Sequence, residues 1–298
     1  MDISIVIPTY NNSRRLMLTL SHFAEWVKFP DAGVELVVVN NNSRDDTDEV
    51  VRAFVGRLPI KLVVEPRQGI SRAKNAGIAN AAGKLLIFTD DDVMPGPMWV
   101  EAYWEAYLRD SKHYFWGGSV ISDFEAGPPN AEILKFAPPS VSGMDLGAVQ
   151  RCIEPPEYFI GANWACPREA LRDVGVFNES LGLNPSQPNP MVGEETDLMD
   201  RLRCNGYRGW YLPEATVHHF VPSSKGTVKH VADRKEGFGY YSHLGKATPR
   251  WAYRSYIENG IKSFFYRIFG KDHSAEYILY KEAKGVLRAA RANLMRRN

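Results

Sequence analysis

Two runs rich in β-branched residues, 2–7 (DISIVI) and 34–39 (VELVVV), lie near the amino terminus, and each ends in a polar turn. Between them Leu16, Leu20, Phe23, Ala24 and Val27 form one apolar stripe at three- and four-residue steps, which predicts an amphipathic helix. The same reading predicts a helix after Asp45-Asp46-Thr47, a strand at 60–64 (IKLVV), a helix over 71–81 and a strand at 85–89 (LLIFT). Alternation of continuous apolar strands with helices implies a parallel sheet covered on both faces, the α/β class. Ligands in such sheets bind beyond the carboxyl ends of the strands. Four polar clusters are therefore expected on one rim: Pro8-Thr9-Tyr10-Asn11, Asn40-Asn41-Asn42-Ser43, Glu65-Pro66-Arg67 and Asp90-Asp91-Asp92.

Further along, Trp116-Gly117-Gly118 opens another strand, and residues 122–160 read as loops rich in Pro, Gly and Ser. A helix is predicted over 194–205, with Glu194, Glu195 and Asp197 in its first turn, Arg201 and Arg203 in its last, and Gly206 as its stop.

Composition narrows the class. The 298 residues are 44% hydrophobic and 24% charged, which excludes disordered, collagen-like and disulfide-scaffold chains. No stretch approaches the roughly 20 uncharged residues of a spanning helix. The chain enters a strand directly, without a basic, apolar leader, so a cytoplasmic protein is expected. Cys152, Cys166 and Cys204 are odd in number and form no CxxC pair, which supports reduced thiols over a disulfide frame or a thiolate zinc site. Residues 1–219 carry 29 acids against 20 Lys and Arg, whereas 220–298 carry 6 against 16. This imbalance suggests two parts with different jobs.

The acid triplet directly after LLIFT is the sharpest local signal. Adjacent carboxylates repel one another and call for a counter-charge; hard oxygen donors suit Mg²⁺ or Mn²⁺ bound to a diphosphate, while a solvated turn leading into a helix is the structural alternative. Neither a GxxxxGK[ST] loop nor a GxGxxG after the first strand is present, which argues against P-loop hydrolysis and ordinary dinucleotide binding. Arg67, Arg72 and Lys74 supply cations in the order of strand ends.

Six segments in order resemble the family 2 glycosyltransferases, whose fold is called GT-A. They are Ile5-Val6-Ile7-Pro8-Thr9-Tyr10-Asn11; Glu35 to Ser43; Gly69-Ile70-Ser71-Arg72-Ala73-Lys74-Asn75-Ala76-Gly77; Asp90-Asp91-Asp92-Val93; Gly161-Ala162-Asn163; and Gly193-Glu194-Glu195-Thr196-Asp197-Leu198 with Arg201-Leu202 and Gly206-Tyr207. The resemblance covers about residues 2–220. It implies a GT-A domain over 1–220, Rossmann-like with a mostly parallel central sheet and helices on both faces. Its nucleotide-binding half would span about 1–115 and its acceptor half about 116–220, with a basic, aromatic-rich helical extension over 221–298.

The implied activity is metal-dependent, inverting transfer of a sugar from a nucleotide-sugar donor to a hydroxyl of a glycan or lipid-linked acceptor. On matching positions, Pro8, Thr9 and Asn11 begin the nucleotide pocket, Asn40 faces the base and Asp91 meets the ribose. Asp92 coordinates Mn²⁺ or Mg²⁺ under the diphosphate, with Arg67 and Lys74 as counter-charges, and His218 or His219 meets the metal. Gly161 and Asn163 flank the sugar, and Glu195 is the general base. Structural readings stand beside these: Asn11 as a helix cap, Asn163 satisfying a buried turn, Glu194 and Glu195 serving only the helix dipole, and one of the two histidines facing away. Three positions depart from the family pattern: Asn40 replaces an aspartate, Glu195 an aspartate and Lys74 an arginine. The first leaves base preference open, because Asn presents either an acceptor or a donor.

In the extension, Trp251, Tyr253, Ile257, Ile261, Phe264, Phe265 and Ile268 fall near one helical face, with Arg250, Arg254, Lys262, Arg267 and Lys271 around it. With the second basic segment at 281–297, this is expected either to lie on the anionic inner face of the plasma membrane or to pack against protein, in a homodimer for instance. A nucleic-acid partner is not expected, because the larger part is acidic and no recognition motif appears. The rival functions are nucleotidyl transfer, which calls for a Gly-rich basic loop where this chain has Pro-Thr-Tyr-Asn, and a non-catalytic sugar-nucleotide or glycan-binding module of the same fold.

Overall fold

The computed structural model describes residues 1–186 and 192–295. The chain divides into two compact units: the first comprises 1–123, 143–186 and 194–220, and the second gathers 124–142, Val192, Gly193 and 221–295 of the described residues.

The first unit begins β1 (Ile3–Thr9), α1 (Ser13–Glu25), β2 (Val34–Asn40), α2 (Thr47–Ala53), β3 (Ile60–Val64), α3 (Ile70–Asn80) and β4 (Leu85–Phe88). These follow the predicted series within one or two residues at most ends. β5 (Val93–Pro95), α4 (Trp99–Arg109) and β6 (Tyr114–Phe124) come next; the chain then passes through two short helices of the second unit, α5 (Ala131–Leu134) and α6 (Pro139–Ser142), before returning. β7 (Arg151–Ile153), β8 (Trp164–Pro167), α7 (Arg168–Val174), α8 (Glu194–Cys204) and β9 (Arg208–Val221) complete the sheet and its cover.

The strand order is β3-β2-β1-β4-β8-β6-β9-β5, with β7 paired to β9. β3, β2, β1 and β4 are mutually parallel, as the crossover pattern requires, so the ends of all four point to one rim. Beyond β4 the pairing turns antiparallel, β8 against β4 and β6 against β8. β9 likewise runs antiparallel to β5, in register Val93 with His219 and Met94 with His218. The strict two-residue alternation of a strand splits the apolar side chains between two cores. Ile3, Ile5 and Ile7 of β1 pack with α1 and α4 through Leu16, Leu20, Phe23, Trp99 and Tyr103. Val6, with Val37 and Val39 of β2, packs on the opposite face with Ala73 and Ile78 of α3 and Leu198, Met199 and Leu202 of α8.

The second unit is helical: α9 (Val228–His243), α10 (Arg250–Ile268) and α11 (Ser274–Met295). Val231, Ala232 and Ile278 form its small core, against which Ile133 and Phe136 pack. Residues 124–142, which read as an excursion in the sequence, thus group with the carboxyl-terminal helices. No helix is long and apolar enough to cross a membrane among the described residues.

Candidate active site

At the end of β4 the chain leaves the sheet through Asp90-Asp91-Asp92 and enters β5. The turn at Asp91-Asp92 brings the carboxylates of Asp90 and Asp92 together, and the β5–β9 register delivers His219 to them. Ligand atoms of Asp90, Asp92 and His219 lie within 4.8 Å of one another, and His219 Nε2 is 3.3 Å from Asp92 Oδ1. His219 is buried, and among the described residues its Nδ1 has no hydrogen-bond partner. Two hard carboxylates and one imidazole within reach of one another fit a divalent ion such as Mn²⁺.

His218, one residue earlier on β9, faces solvent on the other side of the strand. Of the two histidines left open by the sequence, the alternation that brings His219 in turns His218 away. Asp90, passed over in the sequence in favour of Asp91 and Asp92, is the third member of the cluster; the acid triplet itself was the signal, but which two of its members converge is set by the turn at Asp91-Asp92.

Asp91 points elsewhere. Asn12 donates to its Oδ1 at 2.8 Å, and Thr19 Oγ1 donates to its backbone carbonyl at 2.9 Å, tying the triplet to α1. Burial pushes the Asp91 carboxyl up to about 7, the Asp92 charge adds to this, and the hydrogen bond from Asn12 opposes it. Pro8 and Thr9 end β1 as buried residues of the same rim. Asn11, with φ of 47°, bridges two loops: its backbone N–H donates to Ser43 Oγ and its Oδ1 accepts from the Arg44 N–H at 2.8 Å. It does not cap α1, whose N-cap is Asn12.

Asn40 is buried with both ends of its amide engaged: Nδ2 donates to Asp48 Oδ1 at 2.6 Å and Oδ1 accepts from the Ser43 N–H at 2.8 Å. The carboxylate that the family pattern places at this position therefore stands one hydrogen bond away, on α2.

Glu195 occupies the first turn of α8 and forms an ion pair with Lys74 of α3. Burial pushes its carboxyl up, but the Lys74 charge and hydrogen bond outweigh that and hold it below the usual glutamate range. Burial of Lys74 favours its neutral form, yet Glu195, Glu194 and Asp90 together keep it firmly protonated. Lys74 is only 1% exposed, so the cation expected to meet a diphosphate is instead enclosed with the candidate base. Asp90 links the two clusters, because it feels Lys74 and Glu195 as well as Asp92 and His219. Asp197 takes no part, being paired to Arg201 at 2.7 Å.

Gly161 explains why Glu195 and Lys74 can meet. A β-carbon at this position would collide with the Glu195 carboxylate and come within 3.2 Å of Lys74 Nζ. Gly161→Ala is therefore expected to displace the carboxylate while leaving the core intact. A misplacement of about 1 Å costs roughly 10²-fold in rate, so kcat should fall by about that factor with little change in Tm.

Asn163 has the surroundings of its structural reading. It is fully buried, Nδ2 donating to the carbonyls of Ser119 and Ala215 at 2.8 and 2.7 Å, Oδ1 accepting from Trp99 Nε1 and Tyr103 Oη at 2.7 Å each. Every hydrogen-bonding valence of the amide is spent inside the protein, so none remains for a sugar. Arg67 is largely exposed and held by Glu65 in a two-point fork, Nε to Oε1 and Nη2 to Oε2, each 3.1 Å.

Residues 4–175 match the family model described as Glycosyl transferase family 2. Among curated proteins, the chain is 33% identical over 262 residues to a chondroitin synthase of Escherichia coli, an alignment covering 79% of this chain and 36% of that protein. It is 28% identical over 227 residues to a pre-mycofactocin glycosyltransferase of Mycobacterium tuberculosis, covering 73% of this chain and 42% of that one. The chain thus spans well under half the length of these relatives. A solved mannosyltransferase of Pyrobaculum calidifontis, in complex with GDP-Man and Mn²⁺, superposes with a TM-score of 0.59 at 18% identity, covering 99% of this chain and 88% of that one. S. aureus TarS 1–349 in complex with UDP-GlcNAc gives a TM-score of 0.57 at 16% identity, over 90% of this chain and 73% of that one. These likenesses establish the GT-A fold, and with the family match over more than half of its length the chain belongs to glycosyltransferase family 2.

Proposed function

We propose that this chain is a metal-dependent, inverting glycosyltransferase that moves a sugar from a nucleotide-sugar donor to a hydroxyl of a glycan or lipid-linked acceptor. The observation that carries the reading is the convergence of Asp90, Asp92 and His219 on the rim beyond β4, in a chain that belongs to glycosyltransferase family 2. Asp90, Asp92 and His219 would hold Mn²⁺ or Mg²⁺, which when bound supplies Lewis-acid stabilisation of the leaving diphosphate.

The chain's own residues do the rest. Glu195, kept ionised by Lys74, accepts the proton of the acceptor hydroxyl as that oxygen attacks the anomeric carbon from the face opposite the leaving group. Once Glu195 is neutral, the Lys74 charge is offset by Glu194 and Asp90 alone, so the proton is taken up without leaving the lysine unopposed. The rim formed by Pro8, Thr9, Asn11, Asn40 and Asp91 is where the nucleotide would sit, and Arg67 adds a solvent-facing cation at the end of β3. The GDP-sugar and UDP-sugar complexes of the structural neighbours support a nucleotide-sugar donor.

The reading is tested by turnover of a panel of nucleotide sugars with and without Mn²⁺; release of nucleotide that is indifferent to every donor would overturn it. The two histidines give a sharper test. His219→Ala should weaken Mn²⁺ binding by about 10–100-fold or more, read by electron paramagnetic resonance of the free ion, whereas His218→Ala should leave it unchanged. Equal losses for both would place the ion elsewhere.

A further inference from the structure

Helix α10 has its polarity reversed. The side it buries carries small residues, Ala252 and Ser263, with Gly260 against the Tyr280 ring and Tyr256 tilted onto it at 4.9 Å between ring centroids. Spacing at about 100° per residue puts Ile257, Ile261, Phe264, Phe265 and Ile268 on the opposite side. With Trp251, Tyr253 and Phe269 they are between 47% and 70% exposed. A soluble helix that packs on glycine and serine while presenting isoleucine and phenylalanine to solvent has an apolar surface with no partner within its own unit.

Charge says what covers it. The stretch 250–271 contains Arg250, Arg254, Lys262, Arg267 and Lys271 but one acid, Glu258, which pairs with Arg254 at 2.7 Å. Lys262 and Arg267 stand at opposite edges of the apolar arc. Residues 220–298 as a whole carry 16 basic side chains against 6 acidic ones, so two copies brought together on this face would repel. An anionic surface is complementary to both features at once. A groove of ≈ 700 Å³ opens beside the same face, lined by Ile257, Ile261 and Phe264 of α10 and by Tyr277 and Tyr280 of α11, with Arg267 at its edge.

We propose that the outer face of α10 is a docking surface for an anionic lipid bilayer, its isoleucines and phenylalanines entering the headgroup–acyl boundary and its flanking cations meeting lipid phosphates. It rests on the second unit alone and does not depend on the proposed sugar transfer.

The test is flotation of the full chain with vesicles of phosphatidylcholine, with and without phosphatidylglycerol, at low and high salt. The chain is expected to float only with the anionic vesicles and to be released by salt as screening shortens the Debye length. Phe264→Ser with Phe265→Ser should reduce the floating fraction at least tenfold without lowering Tm, because both rings are exposed. Lys262→Glu with Arg267→Glu should reduce it at least as much, at roughly fivefold for each cation removed. Failure of the unaltered chain to float at low salt would overturn the proposal, as would variants that float undiminished. A homodimer in solution that the phenylalanine variant dissociates would overturn it too, by assigning the face to a second copy.

Discussion

Glu195→Gln is expected to reduce the transfer rate by about 10²–10⁴-fold, the usual worth of a positioned general base, while the nucleotide-sugar donor still binds. The substitution keeps size and one hydrogen-bond acceptor for Lys74 but removes the site that takes the proton. Because Lys74 holds the Glu195 carboxyl below the usual glutamate range, the acidic limb of the pH–rate profile should lie below that range in the unaltered enzyme. The rate should be level through neutral pH if Glu195 is its determinant. Donor binding is followed by the thermal shift that a ligand of the native state produces. A variant that keeps full transfer activity would remove Glu195 from the mechanism. One that loses donor binding in proportion to rate would make it a donor contact instead.

Asn163→Ala is expected to act on stability. The substitution leaves the Trp99 N–H, the Tyr103 hydroxyl and the carbonyls of Ser119 and Ala215 without partners in a fully buried place. An unsatisfied buried polar group costs about 1–3 kcal/mol. Partial relaxation and water entry bring the expected loss to about 3–5 kcal/mol, a large share of the roughly 5–15 kcal/mol that holds a typical domain. Denaturant unfolding measures it, and at a temperature where the variant remains folded its donor affinity should match that of the unaltered chain. A sugar-contacting role for Asn163 predicts the opposite pair of results: unchanged stability and lost donor affinity.

These two residues show how differently a motif position can serve a site. Asn163 and Gly161 lie in one short segment, yet one ties α4, β6 and β9 together and the other makes room for a carboxylate from α8. Lys74 and Glu195 are 121 positions apart and form one charged unit. Removing Lys74 leaves the buried Glu195 carboxylate without its cation, whereas removing Glu195 still leaves Lys74 opposed by Glu194 and Asp90.

The strand–helix series was legible in the chain itself, down to β3 at 60–64, because apolar periodicity and turn residues act between near neighbours and survive without any tertiary context. The rim followed from the same series, since parallel strands must all end on one side. Only the folded chain chose between His218 and His219, through the register of β9 against β5. It also drew Asp90 into the cluster, enclosed Lys74 with Glu195, and grouped 124–142 with the terminal helices. It turned the aromatic side of α10 outward as well. Each of these is a contact between segments far apart in sequence, decided by packing and charge pairing across the molecule, which periodicity along one segment does not encode.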